Sequence, residues 1–219
     1  MLSGLFSAAV VTCETDYPAE FAPLSPEEAL HTGSMCERRL SEFRAGRYCA
    51  RQALVALGVG ALPVARGADR APVWPEGVTG SITHVCRGES GLAAAAVART
   101  TDVRALGLDA ELDVPLDEDL LPIVLTPRER AAFAHATLQE REFLGKLSFS
   151  AKEAVYKCQY TLTRQFLEFT DLELYVDLAT SSFRATFLRA AGAFGAGSSL
   201  QGRFARQRGW IVTSVQLAT

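Results

Sequence analysis

Apolar positions along the chain fall first into short runs with strand spacing and then into stripes with helix spacing, and this order occurs twice. In the first half, Leu5–Val11, Val78–His84 and Leu92–Ala98 predict strands. A long helical region begins after Leu24, where Ser25, Pro26 and Glu28 form a capping box with proline at the first helical position. Gly33 and Gly46 interrupt that region, Gly58-Val59-Gly60 ends it, and residues 66–77, rich in Pro and Gly, read as a loop. In the second half, Val103–Leu112 predicts a strand, and Thr126, Pro127 and Glu129 form a second capping box. A helix over Gln139–Arg164 follows, then strands at Leu172–Leu178, Phe183–Leu188, Arg203–Arg208 and Trp210–Leu217. Residues 190–199 read as a loop, and Arg208-Gly209 as a hairpin turn.

The two halves also match residue by residue. One offset of 101 residues lays Leu24-Ser25-Pro26 on Leu125-Thr126-Pro127 and the block Tyr48–Leu54 on Phe149–Val155. Short helical matches arise by chance, but one ungapped offset fits both a helix start and a seven-residue block. The pattern predicts a duplicated unit and two pseudo-symmetric lobes.

Composition narrows the class. Of 219 residues, 48% are apolar and 21% charged, as in a folded globular chain. The net charge of -3 gives no basic field for nucleic acid. No run reaches the roughly 18 apolar residues of a membrane span. The five cysteines are scattered without CxxC spacing, which suits reduced thiols in the cytoplasm. Three histidines leave little material for a His-based zinc site or a Ser/His/Asp triad. His31 and His135 read as surface helix residues.

Against that background, three places carry candidate chemistry. Strand alternation over Val103–Leu112 puts Gly107, Asp109 and Glu111 on one face, with the two carboxylates ~7 Å apart at Cα. Such a pair suits magnesium, which takes a few carboxylates and fills its octahedron with water and phosphate oxygens; a solvated acidic edge is the other reading. In Phe149–Lys157, Ala151, Ala154, Val155 and Cys158 form the apolar stripe, leaving Glu153 and Lys157 one turn apart. An exposed i,i+4 salt bridge explains that pair as readily as an acid and a base do. In the matching helix, Arg44, Arg47 and Arg51 lie along one line, with Arg47 inside the stripe of Leu40, Phe43, Ala50 and Leu54. A buried guanidinium needs a partner, and a bound phosphate or an internal carboxylate serves equally. Finally, Gly80-Ser81-Ile82-Thr83-His84 ends a strand with hydroxyls and an imidazole, suited either to phosphate oxygens or to a structural role.

Taken together, "GSITH" at Gly80–His84, "GLDAE" at Gly107–Glu111 and "FSAKEAVYK" at Phe149–Lys157 resemble the motifs of the 4′-phosphopantetheinyl transferases in order and spacing. The blocks Arg38–Leu54 and Arg70–His84 resemble the surfactin-type group, closest to the subgroup of the enterobactin-synthetase D component. The resemblance implies an α+β fold of two pseudo-symmetric lobes, each a small antiparallel-rich sheet packed on a long helix. It divides the chain into residues 1–102, gripping coenzyme A phosphate, and residues 103–219, carrying metal and catalytic carboxylates, with the active site in the cleft between. It implies magnesium-dependent transfer of phosphopantetheine from coenzyme A to a carrier-protein serine, releasing 3′,5′-ADP. Such enzymes serve siderophore, non-ribosomal peptide and polyketide synthesis. Carried over by position, Asp109, Glu111 and Glu153 bind the metal, Glu153 is the general base and Lys157 assists the leaving phosphate. Thr83 and His84 hold pyrophosphate, Arg47, Arg51 and Arg70 the 3′-phosphate side, and Lys152 is a further phosphate contact. A cytoplasmic monomer acting on an acyl or peptidyl carrier protein is expected. The alternative is a non-catalytic module that binds coenzyme A or an acidic partner through its arginines.

Overall fold

A computed structural model describes the chain except for Pro18, His31 and Glu89; the expectation for His31 therefore lies outside the described residues. The chain forms two compact units that part between Leu106 and Gly107. Residues 2–106 with the last two residues make one unit, and residues 107–217 with Met1 make the other.

The first unit contains β1 (Val11–Tyr17), α1 (Pro26–Ala29), α2 (Glu37–Ala56), β2 (Ala65–Arg66), β3 (Pro72–Val73), β4 (Val78–Arg87) and β5 (Ser90–Arg99). Its antiparallel sheet has the order β1-β5-β4, so β5 is central. From Leu92 to Ala98 β5 is buried at every position, which explains its unbroken apolar run. Ala45, Cys49, Ala50, Ala53 and Leu54 of α2 join the same core as Ala93, Ala95 and Val97. Small side chains on both elements let helix and sheet approach closely. Gly46 belongs to this contact, since a Cβ there would stand 2.9 Å from Ile82 Cγ2. It therefore does not interrupt the helix, as the sequence pattern suggested. The single long helix is instead two, α1 ending at Ala29 and α2 beginning at Glu37.

The strand expected at Leu5–Val11 is displaced to β1. Residues 3–10 form turns, with Gly4 at φ 78° and with Leu2 and Leu5 buried. In its sheet β1 pairs with β5 on one side only, so its sequence Val-Thr-Cys-Glu-Thr-Asp-Tyr keeps polar residues that an apolar-run criterion passes over.

The second unit takes the greater part of β6 (Val103–Leu112), then α3 (Leu121–Val124), α4 (Pro127–Phe133) and α5 (Leu138–Thr163). Strands β7 (Leu172–Asp177), β8 (Ser182–Phe187), β9 (Ser199–Gln207) and β10 (Trp210–Ala218) complete it. The sheet order is β6-β10-β9-β8-β7. Arg208 and Gly209, both at positive φ, turn β9 into β10, with Trp210 opposite Gln207. Helix α5 starts at a third capping box, Thr137 with Glu140, and ends at Arg164 in the left-handed region. His135 is exposed in the turn before α5 rather than on a helix. The fold is α+β with antiparallel sheets, and each unit has one long helix. Among the described residues no helix is long and apolar enough to cross a membrane.

Candidate active site

In the second unit α5 lies on β6 with no side chain between them at Gly107. A Cβ there would collide with the Ala154 carbonyl oxygen and stand 3.1 Å from Cys158 Cβ. The Gly107-Asp109-Glu111 face is thus turned to the helix, and Asp109 is only 5% exposed. That removes the solvated-edge reading. Ser150 Oγ donates to Asp109 Oδ2 at 2.8 Å, and Lys157 Nζ donates to Oδ1 at 2.7 Å and to the Leu108 carbonyl at 3.1 Å. Lys146 Nζ lies 3.4 Å from Glu111 Oε2. The alternative reading, an exposed Glu153–Lys157 ladder, does not hold; Lys157 reaches across to β6 instead. No hydrogen bond or ion pair among the described residues holds the Glu153 carboxylate.

Electrostatics follow from this placement. Burial pushes the Glu153 carboxyl above the usual carboxylate range, Lys157 pulls it back, and Asp109 adds to the rise. Glu111 is raised by burial and by Asp109, with Lys146 opposing. Two partly desolvated carboxylates near a third favour a proton or a cation.

Lys152 requires a correction. Its side chain is fully buried, and Nζ donates to the Val124 carbonyl at 2.7 Å and to Glu129 Oε2 at 2.8 Å. Glu129 in turn accepts from Thr126 N at 2.6 Å and from Leu174 N at 2.7 Å. Two of its three ammonium protons are placed on protein oxygens of α3 and α4 and the group has no exposed surface, so Lys152 ties α5 to α3 and α4, and to β7 through Glu129, and is no phosphate contact.

In the first unit, the open question about the arginine line has a different answer at each residue. Arg44 is exposed. Arg51 is ion-paired through Nη1 with the buried Glu28 carboxylate, which also accepts from Val64 N at 3.1 Å. An internal acid thus engages Nη1 of Arg51, which leaves Nη2, buried without a partner, to the coenzyme A assignment. Arg47 is 6% exposed, lies over the Phe43 ring at 4.3 Å, and has an Nε without a hydrogen-bond partner. Burial lowers its pKa to about 10, Glu28 resists, and the charges of Arg66, Arg51 and Arg39 push further down. A guanidinium crowded by other cations is a seat for an anion.

Arg66 was passed over in the sequence as the first residue of a loop. It lines a cavity of about 430 Å³ together with Arg70, Ser34 and Leu30. The β2–β3 hairpin puts both arginines there: Asp69 accepts from Ala71 N at 3.1 Å, and Arg70 sits at φ 69° in the turn. Two arginines flanking Gly67-Ala68-Asp69 were the available signal. Thr83 is buried in β4 opposite Ala94, and His84 is half-buried opposite Ala93. His84 Nε2 contacts Arg39 Nη1 and stands 3.9 Å from Glu42 Oε2, while Arg39 bonds Glu42 at 2.9 Å. Arg39 is a second cation that the sequence reading left unassigned.

Among the described residues no three His, Cys, Asp or Glu side chains stand together as a ready cage for a metal ion. The donor chemistry nevertheless fits a hard divalent cation. Asp109, Glu111 and Glu153 are all-oxygen donors, and the last two are raised by burial and by the charge of Asp109.

Comparison with known proteins converges on one group. A family described as "4′-phosphopantetheinyl transferase N-terminal domain" matches residues 26–98. The "4′-phosphopantetheinyl transferase superfamily" matches residues 105–212. The chain is 39% identical to 4′-phosphopantetheinyl transferase Svp of Streptomyces mobaraensis, over 100% of this chain and 89% of that protein. It is 34% identical to PptT of Mycobacterium tuberculosis, over 91% and 88%. Enterobactin synthase component D of Salmonella typhimurium is 34% identical over 55% of this chain and 48% of that protein.

Proposed function

The chain belongs to the 4′-phosphopantetheinyl transferase superfamily and is an enzyme of that class, and we propose that it moves 4′-phosphopantetheine from coenzyme A to a serine hydroxyl of a carrier protein. One observation carries the chemical reading. Asp109 and Lys157 are paired at 2.7 Å, on the β6–α5 contact that also bears an unbonded Glu153 with raised proton affinity.

In this reading Glu153 takes the serine proton, the serine oxygen bonds to the pantetheine-bearing phosphorus, and the P–O bond to 3′,5′-ADP breaks. Lys157 faces the negative charge that builds on the leaving phosphate. Asp109, Glu111 and Glu153 would hold magnesium, which supplies charge neutralisation for the pyrophosphate when bound. Arg47, Arg66 and Arg70 receive the 3′-phosphate side of the same substrate, and Thr83 and His84 its pyrophosphate. All five cysteines are free thiols, which suits a cytoplasmic setting, and the proposed unit of action is a monomer. No observation favours the non-catalytic reading.

The test is mass spectrometry of apo carrier proteins incubated with coenzyme A, magnesium and this enzyme. A gain of one phosphopantetheine arm is expected; no gain across acyl and peptidyl carriers overturns the proposal.

A further inference from the structure

A chain of buried hydroxyls stands behind Asp109. Ser150 (α5) and Thr213 (β10) are both fully buried, and neither belongs to the charged groups assigned above. Ser150 Oγ lies 2.8 Å from Asp109 Oδ2 and 2.9 Å from Thr213 Oγ1. Thr213 Oγ1 also lies 2.9 Å from the Ser150 backbone carbonyl.

Counting protons fixes the direction of the chain. A serine hydroxyl has one proton to give, and a carboxylate can only accept, so the Ser150 proton goes to Asp109. The contact between the two hydroxyls must then be donated by Thr213, whose single proton is directed at Ser150 Oγ and the Ser150 carbonyl. The order is Thr213 to Ser150 to Asp109. Each donation strengthens the next where water is excluded. Lys157 holds the opposite carboxylate oxygen at 2.7 Å, so Asp109 is clamped at both ends and its rotation about the Cβ–Cγ bond is fixed.

We infer that Ser150 and Thr213 are positioning residues for Asp109, setting the direction in which its remaining lone pairs meet a hard cation and the pyrophosphate on it. The inference rests on the function proposed above. It adds a residue, Thr213, that lies one position beyond the 105–212 family match and on no sequence motif. It also explains a serine in the α5 motif at a position where packing alone is served by alanine, as it is at the neighbouring buried Ala151.

The discriminating variant is Thr213→Val, which keeps shape and removes only the hydroxyl, with Ser150→Ala as the stronger lesion and Thr213→Ser as the conservative rescue. Two quantities are read on the full chain. One is magnesium affinity by calorimetry in the presence of coenzyme A. The other is the magnesium concentration giving half-maximal transfer. Thr213→Val is expected to weaken both about 10-fold, and Ser150→Ala more. The KM for the carrier protein should stay unmoved, and Thr213→Ser should return to wild-type values. Wild-type magnesium dependence that Thr213→Val and Ser150→Ala leave unchanged, in variants whose melting shows them folded, overturns the positioning role alone. A wild-type protein with no magnesium-dependent binding of coenzyme A overturns this inference, and one that also adds no phosphopantetheine arm to any carrier overturns the function it rests on. If Thr213→Val proves unstable, Thr213→Ser and Thr213→Ala at matched folded fraction replace it, and equal magnesium affinity in those two overturns the role.

Discussion

The clasp at Glu28 and the clasp at Glu129 are the same device built twice. One offset of 101 residues carries Glu28 onto Glu129 and Arg51 onto Lys152. In each case a capping-box glutamate, buried to 2% exposure or less, caps its own short helix and ion-pairs with a cation on the long helix. Its other oxygen accepts a backbone N–H from a strand or loop further on, Val64 in one unit and Leu174 in the other. The difference lies in how completely the cation is satisfied. Lys152 is fully buried with its donors placed on two oxygens. Arg51 keeps a buried Nη2 unpartnered, and one turn before it Arg47 has an unpartnered Nε. The unit with the complete clasp carries Glu153 next to it, and the unit with surplus cation is the one to which the anion is assigned in the proposal. The clasp is thus common to both units, and the residues beside it differ: Gln52 in one unit stands where Glu153 stands in the other.

Four experiments probe this contrast. The largest effect is expected from Glu153→Gln, which should lower kcat by ~10²–10⁴ with melting little changed, while Gln52→Glu in the other unit gains nothing. Carrier mass gain and thermal melting read the two outcomes, and near-normal turnover of Glu153→Gln ends its role as base. Next, Glu129→Ala and Glu28→Ala should each destabilise the protein by about 3–5 kcal/mol in urea titration, because each strands a buried cation. A loss at one site without the other would show that the two clasps are not equivalent.

Third, Arg47→Met should raise the KM for coenzyme A about 10-fold without reducing stability, since the guanidinium it removes is unpaired. Arg51→Met should instead lower stability by strandng Glu28, and the reverse pattern would exchange the two assignments. The smallest effect concerns pH. Glu111 and Glu153 have folded pKa values above the unfolded value, so the folded state binds more protons. Their contribution to stability is fully present below the unfolded carboxylate pKa and is lost as pH rises through the raised values. In chelator, wild type should therefore gain stability relative to Glu111→Gln/Glu153→Gln as pH falls from neutral toward that range. A constant difference in urea midpoint between the two proteins would contradict the buried setting of these carboxylates.

How much of this was written locally in the chain can be seen residue by residue. Both capping boxes read from the sequence form, β6 runs over Val103–Leu112 as read, and α5 ends within one residue of expectation. These elements are set by neighbours three or four residues away. What the sequence could not display was pairing at long range. Glu28 meets Arg51, and Glu129 meets Lys152, across 23 residues, so two cations that looked available to phosphate were already engaged. Arg66 and Thr213 were missed for the same reason: their neighbours are supplied by a hairpin and by a distant helix. The displaced first strand failed on a physical point, because a strand paired on one side can be polar where a central one cannot.

The missing side chain at Gly107 has a mechanical consequence. Wherever a rotatable group is interposed between two parts, its slack adds to the uncertainty of everything mounted on either part. Here strand and helix meet as covalent backbone against covalent backbone, with Asp109 mounted two residues beyond the contact on one part and Glu153 next to Ala154 on the other. The gap between the two carboxylate-bearing residues is therefore gauged by bonded atoms rather than by rotamers. Even alanine at this position acts as a shim, and the misalignment it introduces is passed on undiminished to every group mounted nearby.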